Sequence, residues 1–270
     1  MRHKNNTSIM QQRHQDREQY FRELANTSRE YYISYLRSVI DLTPQTRVLE
    51  IGCGEGGNLL PFAELGCQVT GIDLSETRIR QAQEFFAKAG MKGTFVSQNF
   101  VTAEKPDKEE DRYDLVLVHD VIEHIEPEYK HDFMNNIHPF LKEKGILFFG
   151  FPAWQMPFGG HQQISKGFVA KIPFVHLLPN VLYVGLLKMC GNSESCINEL
   201  LSIKRSKMPV ERFEKLCREC GYDIAERTLW FINPHYEQKF GLKPRKLNSL
   251  LARIKYVRNF YTTSAFYLMR

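Results

Sequence analysis

From residue 47 to residue 151, short apolar runs alternate with stretches in which apolar positions recur at helical spacing. Residues 47–51 read as a first strand, and 58–65 as a helix stopped by Gly66. Residues 68–72 form a second strand. Ser75 then stands as the N-cap of a helix over 78–89, with Gly90 as its terminator. A third strand is predicted at 94–97, a fourth at 113–118, a helix over 129–141 and a fifth strand at 146–151. The fifth strand is almost continuously apolar, which suits burial on both faces. This alternation predicts an α/β fold with a mostly parallel sheet and helices on both faces. Ligands of such sheets bind beyond the carboxyl ends of the strands.

The flanks read differently. Residues 1–16 are polar, whereas 17–40 carry Tyr20, Leu24, Tyr31, Tyr35, Leu36 and Val39 at helical spacing until the break at Asp41-Leu42-Thr43-Pro44. An N-terminal helical segment over 1–44 is therefore expected before a main domain over 45–270. Residues 152–208, rich in proline, glycine and aromatics, are too long for a plain connection and predict a partly helical, lid-like insertion. A helix over 209–220 ends at Gly221. Strands at 223–231 and 264–269 follow, with a second insertion over 233–262 between them.

Composition narrows the function. The 270 residues are 43% hydrophobic with a net charge of +5, and the basic excess sits mainly near the ends, for example over 239–258. Nucleic-acid binders usually carry a denser basic stripe, so no nucleic-acid partner is expected. The polar N-terminus lacks the apolar core of a secretory signal, and no window approaches a spanning helix, which predicts a cytoplasmic protein. The most apolar stretch, 174–189, is interrupted by His176, Pro179 and Asn180. Six scattered cysteines read as free thiols; Cys217 and Cys220 form half a zinc motif with no second tight pair. No metal site is assigned.

The chemistry concentrates after the first strand. Glu50, Gly52, Gly54 and Gly56 follow the pattern acidic-x-Gly-x-Gly-x-Gly on a strand-to-helix turn, where glycine lets the backbone turn tightly and approach a ligand. Asp73 ends the second strand, where its carboxylate can accept both hydroxyls of a ribose. The same loop satisfies the dinucleotide fingerprint through Gly52, Gly54 and Gly57, so a nicotinamide-dependent oxidoreductase is the competing reading. Against it, Glu50 stands where it could hold a cationic amino-acid end, and no hydride-transfer constellation is evident.

Residues 47–151 resemble the class I S-adenosylmethionine-dependent methyltransferases of the type 11/12-like group, element by element. Glu50-Ile51-Gly52-Cys53-Gly54-Glu55-Gly56 resembles the first motif and Gly71-Ile72-Asp73-Leu74-Ser75 the second. Residues 113–118 resemble the fourth strand, and 141–147 the passage from a helix into strand five. The resemblance implies a Rossmann-like, seven-stranded, mostly parallel sheet. It implies S-adenosylmethionine as cofactor and S-adenosylhomocysteine as product. Glu50, Gly52, Cys53 and Gly54 would hold the methionine part, with His119 beside it. Asp73 would bind the ribose, Leu74 would flank the adenine, and Asn99 and Phe100 would sit at its edge.

On the acceptor side, Asp120, Glu123 and His124 would share one face if 120–124 opened a helix. The stretch resembles ubiquinone-biosynthesis O-methyltransferases, in which this pattern lies near the active site and can engage a divalent cation. His124 is thus a candidate base, and His161, in the loop after strand five, is a second. The alternative is that Glu123 and His124 only orient loops. Phe151, Trp154, Phe158 and Tyr183 either wall an apolar acceptor or form the insertion's own core. His235 and Tyr236 are candidates to close over the acceptor. The expected activity is O-methylation of a small aromatic or lipid-like molecule. A third reading, suggested by 174–189 and the basic C-terminal region, is a non-catalytic accessory protein with weak membrane-surface association. Oligomeric state is not legible.

Overall fold

The computed structural model describes residues 16–270. The expectations for the polar N-terminus lie almost wholly outside that range. In chain order the helices are α1 (Arg17–Thr27), extended by a π-helical turn (Ser28–Tyr32) into α2 (Ile33–Leu36), α3 (Leu60–Glu64), α4 (Glu76–Lys88), α5 (Lys130–Ile137), α6 (Asn180–Met189), α7 (Glu194–Ser206), α8 (Val210–Glu219), α9 (His235–Phe240) and α10 (Ser249–Arg253). The strands are β1 (Arg47–Ile51), β2 (Gln68–Asp73), β3 (Thr94–Ser97), β4 (Tyr113–His119), β5 (Leu141–Phe151), β6 (Ile224–Ile232), β7 (Arg245–Lys246) and β8 (Ser264–Met269). Their hydrogen-bonded order is β3-β2-β1-β4-β5-β8-β6-β7. β1 pairs in parallel with β2, and β2 with β3; β8 runs antiparallel to both β5 and β6.

The fold is the expected α/β sheet, with eight strands in place of seven. The eighth is β7, two residues of the second insertion that pair antiparallel with β6. Two other boundaries differ. The helix expected over 129–141 is α helical only over Lys130–Ile137, after which a 3-10 turn (His138–Phe140) leads into β5. β5 itself begins at Leu141, so the polar stretch 142–145, expected to connect helix and strand, belongs to the strand. Glu143 and Lys144 face solvent while Ile146 to Phe151 are buried, and hydrophobic periodicity reports only the buried run.

Chain contacts divide the protein into two compact units. The first comprises residues up to 117 with 139–146 and 234–243. Its helices follow from local rules. In α4, Ile79, Ala82, Phe85 and Phe86 are buried at three- and four-residue spacing, and the Ser75 hydroxyl caps the helix by accepting from the Arg78 amide. α1 starts where the Asp16 carboxylate accepts from the Gln19 amide.

The second unit comprises 118–138, 147–233 and 244–270. In it Phe213 of α8 packs on Phe151 and Tyr267, with ring centroids 4.6 and 4.8 Å apart. Residues 152–208 include α6 and α7 and carry a core of Val169, Val175, Tyr183, Leu187, Ile197 and Leu200. Phe151 and Tyr183 are fully buried, which makes them core residues rather than an acceptor wall. The guanidinium of Arg258, nearly inaccessible, bridges Glu211 at 3.0 Å and Glu214 at 3.2 Å, so the second insertion is tied to α8 by a buried ion-pair network. Among the described residues no helix is long and apolar enough to cross a membrane.

Candidate active site

In the first unit, β1 ends at Glu50-Ile51 and the chain turns back through Gly52, Gly54 and Gly56, all at positive φ. The amides of Gly52 and Cys53 both donate to the carbonyl of Ile72 at the end of β2, at 2.7 and 3.0 Å. Gly54, with φ +53 and nothing within 4 Å of an added Cβ, leaves an open, left-handed turn. Its amide donates to Asp73 Oδ2 at 2.9 Å, and the Ser75 amide donates to Oδ1 at 2.8 Å. Each carboxylate oxygen can accept a further bond, so Asp73 is oriented and keeps capacity for a pair of hydroxyls.

Glu50 is buried, at 1% exposure. Its Oε1 accepts from Asn58 Nδ2 at 2.7 Å. Its Oε2, and the Asn58 Oδ1, have no hydrogen-bond partner among the described residues. Burial pushes the carboxyl up to about 8, against the Asn58 hydrogen bond, with the nearby Asp73 charge adding to the rise. A buried, half-satisfied carboxyl of this kind is costly unless a ligand completes it. An ammonium group would do so, which is the fit expected for the methionine end of S-adenosylmethionine.

α1 and the π-helical turn clamp this loop, a contact that sequence reasoning missed. Ser28 Oγ donates to the Asn58 carbonyl at 2.8 Å. A Cβ on Gly57 would lie 2.6 Å from the Phe21 carbonyl oxygen and 2.7 Å from Leu24 Cβ. Glycine at 57 is therefore a packing requirement. Arg17 pairs with the buried Glu55 at 3.2 Å. Contacts thirty residues apart leave no local sequence signature.

The remaining residues expected on the cofactor side are more varied. Cys53 is buried, and its thiol is pushed well above its ordinary range by burial and by Glu50 and Asp73. Leu74 is 74% exposed at the end of β2. Asn99 spends its side-chain oxygen on the Val101 amide, and Phe100 is buried against Phe140. His119 lies in the second unit, where it is buried. Its Nδ1 is 3.3 Å from Asp120 Oδ2, and its ring stands edge-on to Phe266. A Cβ on Gly150 would fall 2.4 Å from the His119 ring, so glycine there makes room for it.

The acceptor-side expectation needs one correction. Residues 120–124 do not open a helix. Asp120 is left-handed (φ +54), its amide donates to the Gly150 carbonyl at 2.9 Å, and a turn follows in which the His124 amide donates to Val121. Asp120 consequently turns toward His119, and Glu123 and His124 meet His161 instead. Ligand atoms of these three residues all lie within 4.8 Å of one another. The His124 and His161 ring centroids are 5.0 Å apart. His161 is also left-handed (φ +54), so two strained non-glycine backbones flank the cluster, a pattern that concentrates at functional sites. Its loop is locked by Gln162, fully buried and donating to the carbonyls of Pro157 and Ile172.

Glu123 is buried, and neither carboxylate oxygen has a hydrogen-bond partner among the described residues. Burial, and secondarily Asp120, hold its carboxyl well above the ordinary range. The buried Lys130 opposes that rise; its amine donates to the Ile122 carbonyl and is itself held down to about 7 by burial. A carboxyl and two imidazoles can relay a proton or ligate a divalent cation. His235 sits in the first unit with Thr27 Oγ1 3.1 Å from its Nδ1 and Tyr20 edge-on to its ring.

The fold is shared with several methyltransferases of known structure. A S-adenosylmethionine-dependent methyltransferase from Clostridium acetobutylicum matches with a TM-score of 0.57 at 11% identity, over 91% of each chain. Magnesium protoporphyrin IX methyltransferase from Synechocystis with bound S-adenosylhomocysteine matches at 0.52 and 15% identity, over 91% of this chain and 82% of that one. At the sequence level, residues 48–145 match the family model described as a methyltransferase domain. The ubiquinone biosynthesis O-methyltransferase of Rhodopseudomonas palustris (strain BisA53) is 42% identical over 79 residues, 29% of this chain and 30% of that protein. Its counterpart in Bartonella tribocorum is 30% identical over 118 residues, 43% of this chain and 46% of that protein. The chain thus spans less than half the length of these curated relatives. Residues 48–145 thus match a methyltransferase domain, and the chain shares its fold with S-adenosylmethionine-dependent methyltransferases.

Proposed function

We propose that this chain is a S-adenosylmethionine-dependent methyltransferase that O-methylates a small aromatic or lipid-like acceptor. The observation that carries the reading is the pairing of Glu50, buried with one oxygen unsatisfied, and Asp73, oriented by two backbone amides. One carboxyl suits an ammonium and the other a ribose diol. Gly52, Cys53 and Gly54 supply the backbone between them, His119 is assigned to the methionine side, and Leu74, Asn99 and Phe100 to the adenine. When bound, the cofactor supplies an activated methyl group on a sulfonium.

The protein's remaining work is to orient the acceptor oxygen and remove its proton. His124 and His161 are the bases in this reading. Glu123, which the sequence offered only as an orienting or ligating group, joins them. The same three residues would hold a divalent cation, which would lower the pKa of a bound phenolic hydroxyl. Similarity to O-methyltransferases over part of the domain supports an oxygen acceptor.

The test is calorimetry with S-adenosylhomocysteine, together with transfer of labelled methyl groups to a panel of catechols and phenols. Asp73→Ala should weaken cofactor binding at least tenfold. His124→Ala and His161→Ala should retain cofactor binding and lose turnover. Normal binding by Asp73→Ala would discard the site assignment.

A further inference from the structure

The second unit contains a cavity of about 570 Å³, within the size range of small-molecule sites. Trp154, Leu177 and Leu201 contribute apolar wall, while Lys204, Arg205 and Lys207 bring three cations to its lining. It belongs with the Glu123–His124–His161 cluster by chain and by packing. Pro127 of the lining follows His124 by three residues. Gly160, next to His161, packs so tightly on the lining residue His176 that a Cβ would fall 2.2 Å from the His176 Cβ.

The charges do not cancel. Arg205 pairs with Glu126 at 2.8 Å, which accounts for one of the three. Lys204 donates to the Leu178 carbonyl and stands 5.3 Å from the Tyr183 ring centroid, so its contacts there bring no counter-charge. Burial, and secondarily the neighbouring Lys207, hold Lys204 below its usual pKa. Lys207 has no ion pair at all among the described residues. His176 adds nothing to the charge: its Nε2 is 2.8 Å from the Trp154 carbonyl, and burial lowers it to about 4. Two uncompensated cations beside an apolar wall match a dianionic group on an apolar body. A phosphomonoester carries about −1.5 to −2 at neutral pH; a carboxylate carries half as much.

We infer that this cavity binds a phosphomonoester group attached to an apolar body, and that it anchors the acceptor by that group. The second clause rests on the methyltransferase reading; the binding itself does not. Hexyl phosphate is the probe, titrated calorimetrically into the full chain beside hexanoate and 1-hexanol. Hexyl phosphate should bind at least tenfold more tightly than hexanoate. The Lys204→Gln/Lys207→Gln double variant should weaken it at least tenfold, and Lys207→Gln alone, an exposed position, should weaken it severalfold with an unchanged melting temperature.

Equal affinity for phosphate and carboxylate probes, or binding indifferent to Lys207→Gln, would overturn the inference. S-adenosylhomocysteine binding in the same samples separates the two claims, since its loss with intact hexyl phosphate binding refutes the methyltransferase reading alone. Sedimentation with phosphatidic acid vesicles separates the sources: Lys204/Lys207-dependent pelleting assigns a bilayer lipid, and hexyl phosphate binding without pelleting assigns a soluble ester.

Discussion

Glu50→Gln removes a titratable group while keeping the shape of a fully buried side chain, and its consequences follow from the pKa of about 8. In the unfolded chain the group titrates near 4.5. Between these values the folded protein holds a proton that the unfolded chain has released, so stability must fall as pH rises through the window. At about 1.4 kcal/mol per pH unit, the full effect is on the order of 5 kcal/mol by pH 8. The Gln variant should lose that slope and exceed the wild type in stability above neutral pH.

Cofactor binding should respond in the opposite sense. An ammonium favours the ionised carboxyl, so at pH 7 binding of S-adenosylhomocysteine should release close to one proton. Affinity should tighten about 50-fold from pH 6 to pH 8. Losing the charge-assisted contact should cost Glu50→Gln about 1.5–3 kcal/mol, roughly 10- to 150-fold in Kd. Calorimetry in two buffers of different ionisation enthalpy reads the proton count directly. Release of fewer than about 0.2 protons per site with pH-independent affinity, or wild-type affinity in the Gln variant, would refute the assignment of Glu50 to the amino group.

Three further outcomes are expected. Gly57→Ala places a Cβ against the Phe21 carbonyl and should destabilise the first unit by about 1–3 kcal/mol in denaturant titration, with weakened S-adenosylhomocysteine binding; an unchanged midpoint contradicts the clamp. Arg258→Leu strands Glu211 and Glu214 and should cost about 3–5 kcal/mol in urea unfolding; a neutral result shows the network to be dispensable. If a cation sits among Glu123, His124 and His161, chelation should lower methyl transfer reversibly and leave cofactor affinity intact; full activity in chelator leaves the three residues to act as bases alone.

What was legible in the sequence was local. The Ser75 cap, the glycine turn and the buried half of β5 follow from rules that operate within a few residues. The polar residues 142–145 carry no apolar strand pattern, yet β5 includes them. The segment 120–124 has the spacing of a helix face, yet the Asp120 amide is captured by the Gly150 carbonyl and the chain turns. That tertiary contact separates Asp120 from the cluster and leaves Glu123 and His124 to meet a histidine 37 positions further along the chain. The clamp of α1 on Gly57 and the basic cavity depend on distant contacts in the same way. Glu50 and Asp73 were visible as motif positions, but the unsatisfied oxygen that gives Glu50 its chemistry exists only in the folded core.

The glycine loop fits both S-adenosylmethionine and a nicotinamide dinucleotide by pattern, so ligand-induced stabilisation decides between them. At 100-fold excess over Kd, a ligand adds about 2.7 kcal/mol, or roughly 5–8 °C in a chain of this size. The account predicts that shift with S-adenosylhomocysteine and none with nicotinamide dinucleotides; stabilisation by the dinucleotide alone would contradict it.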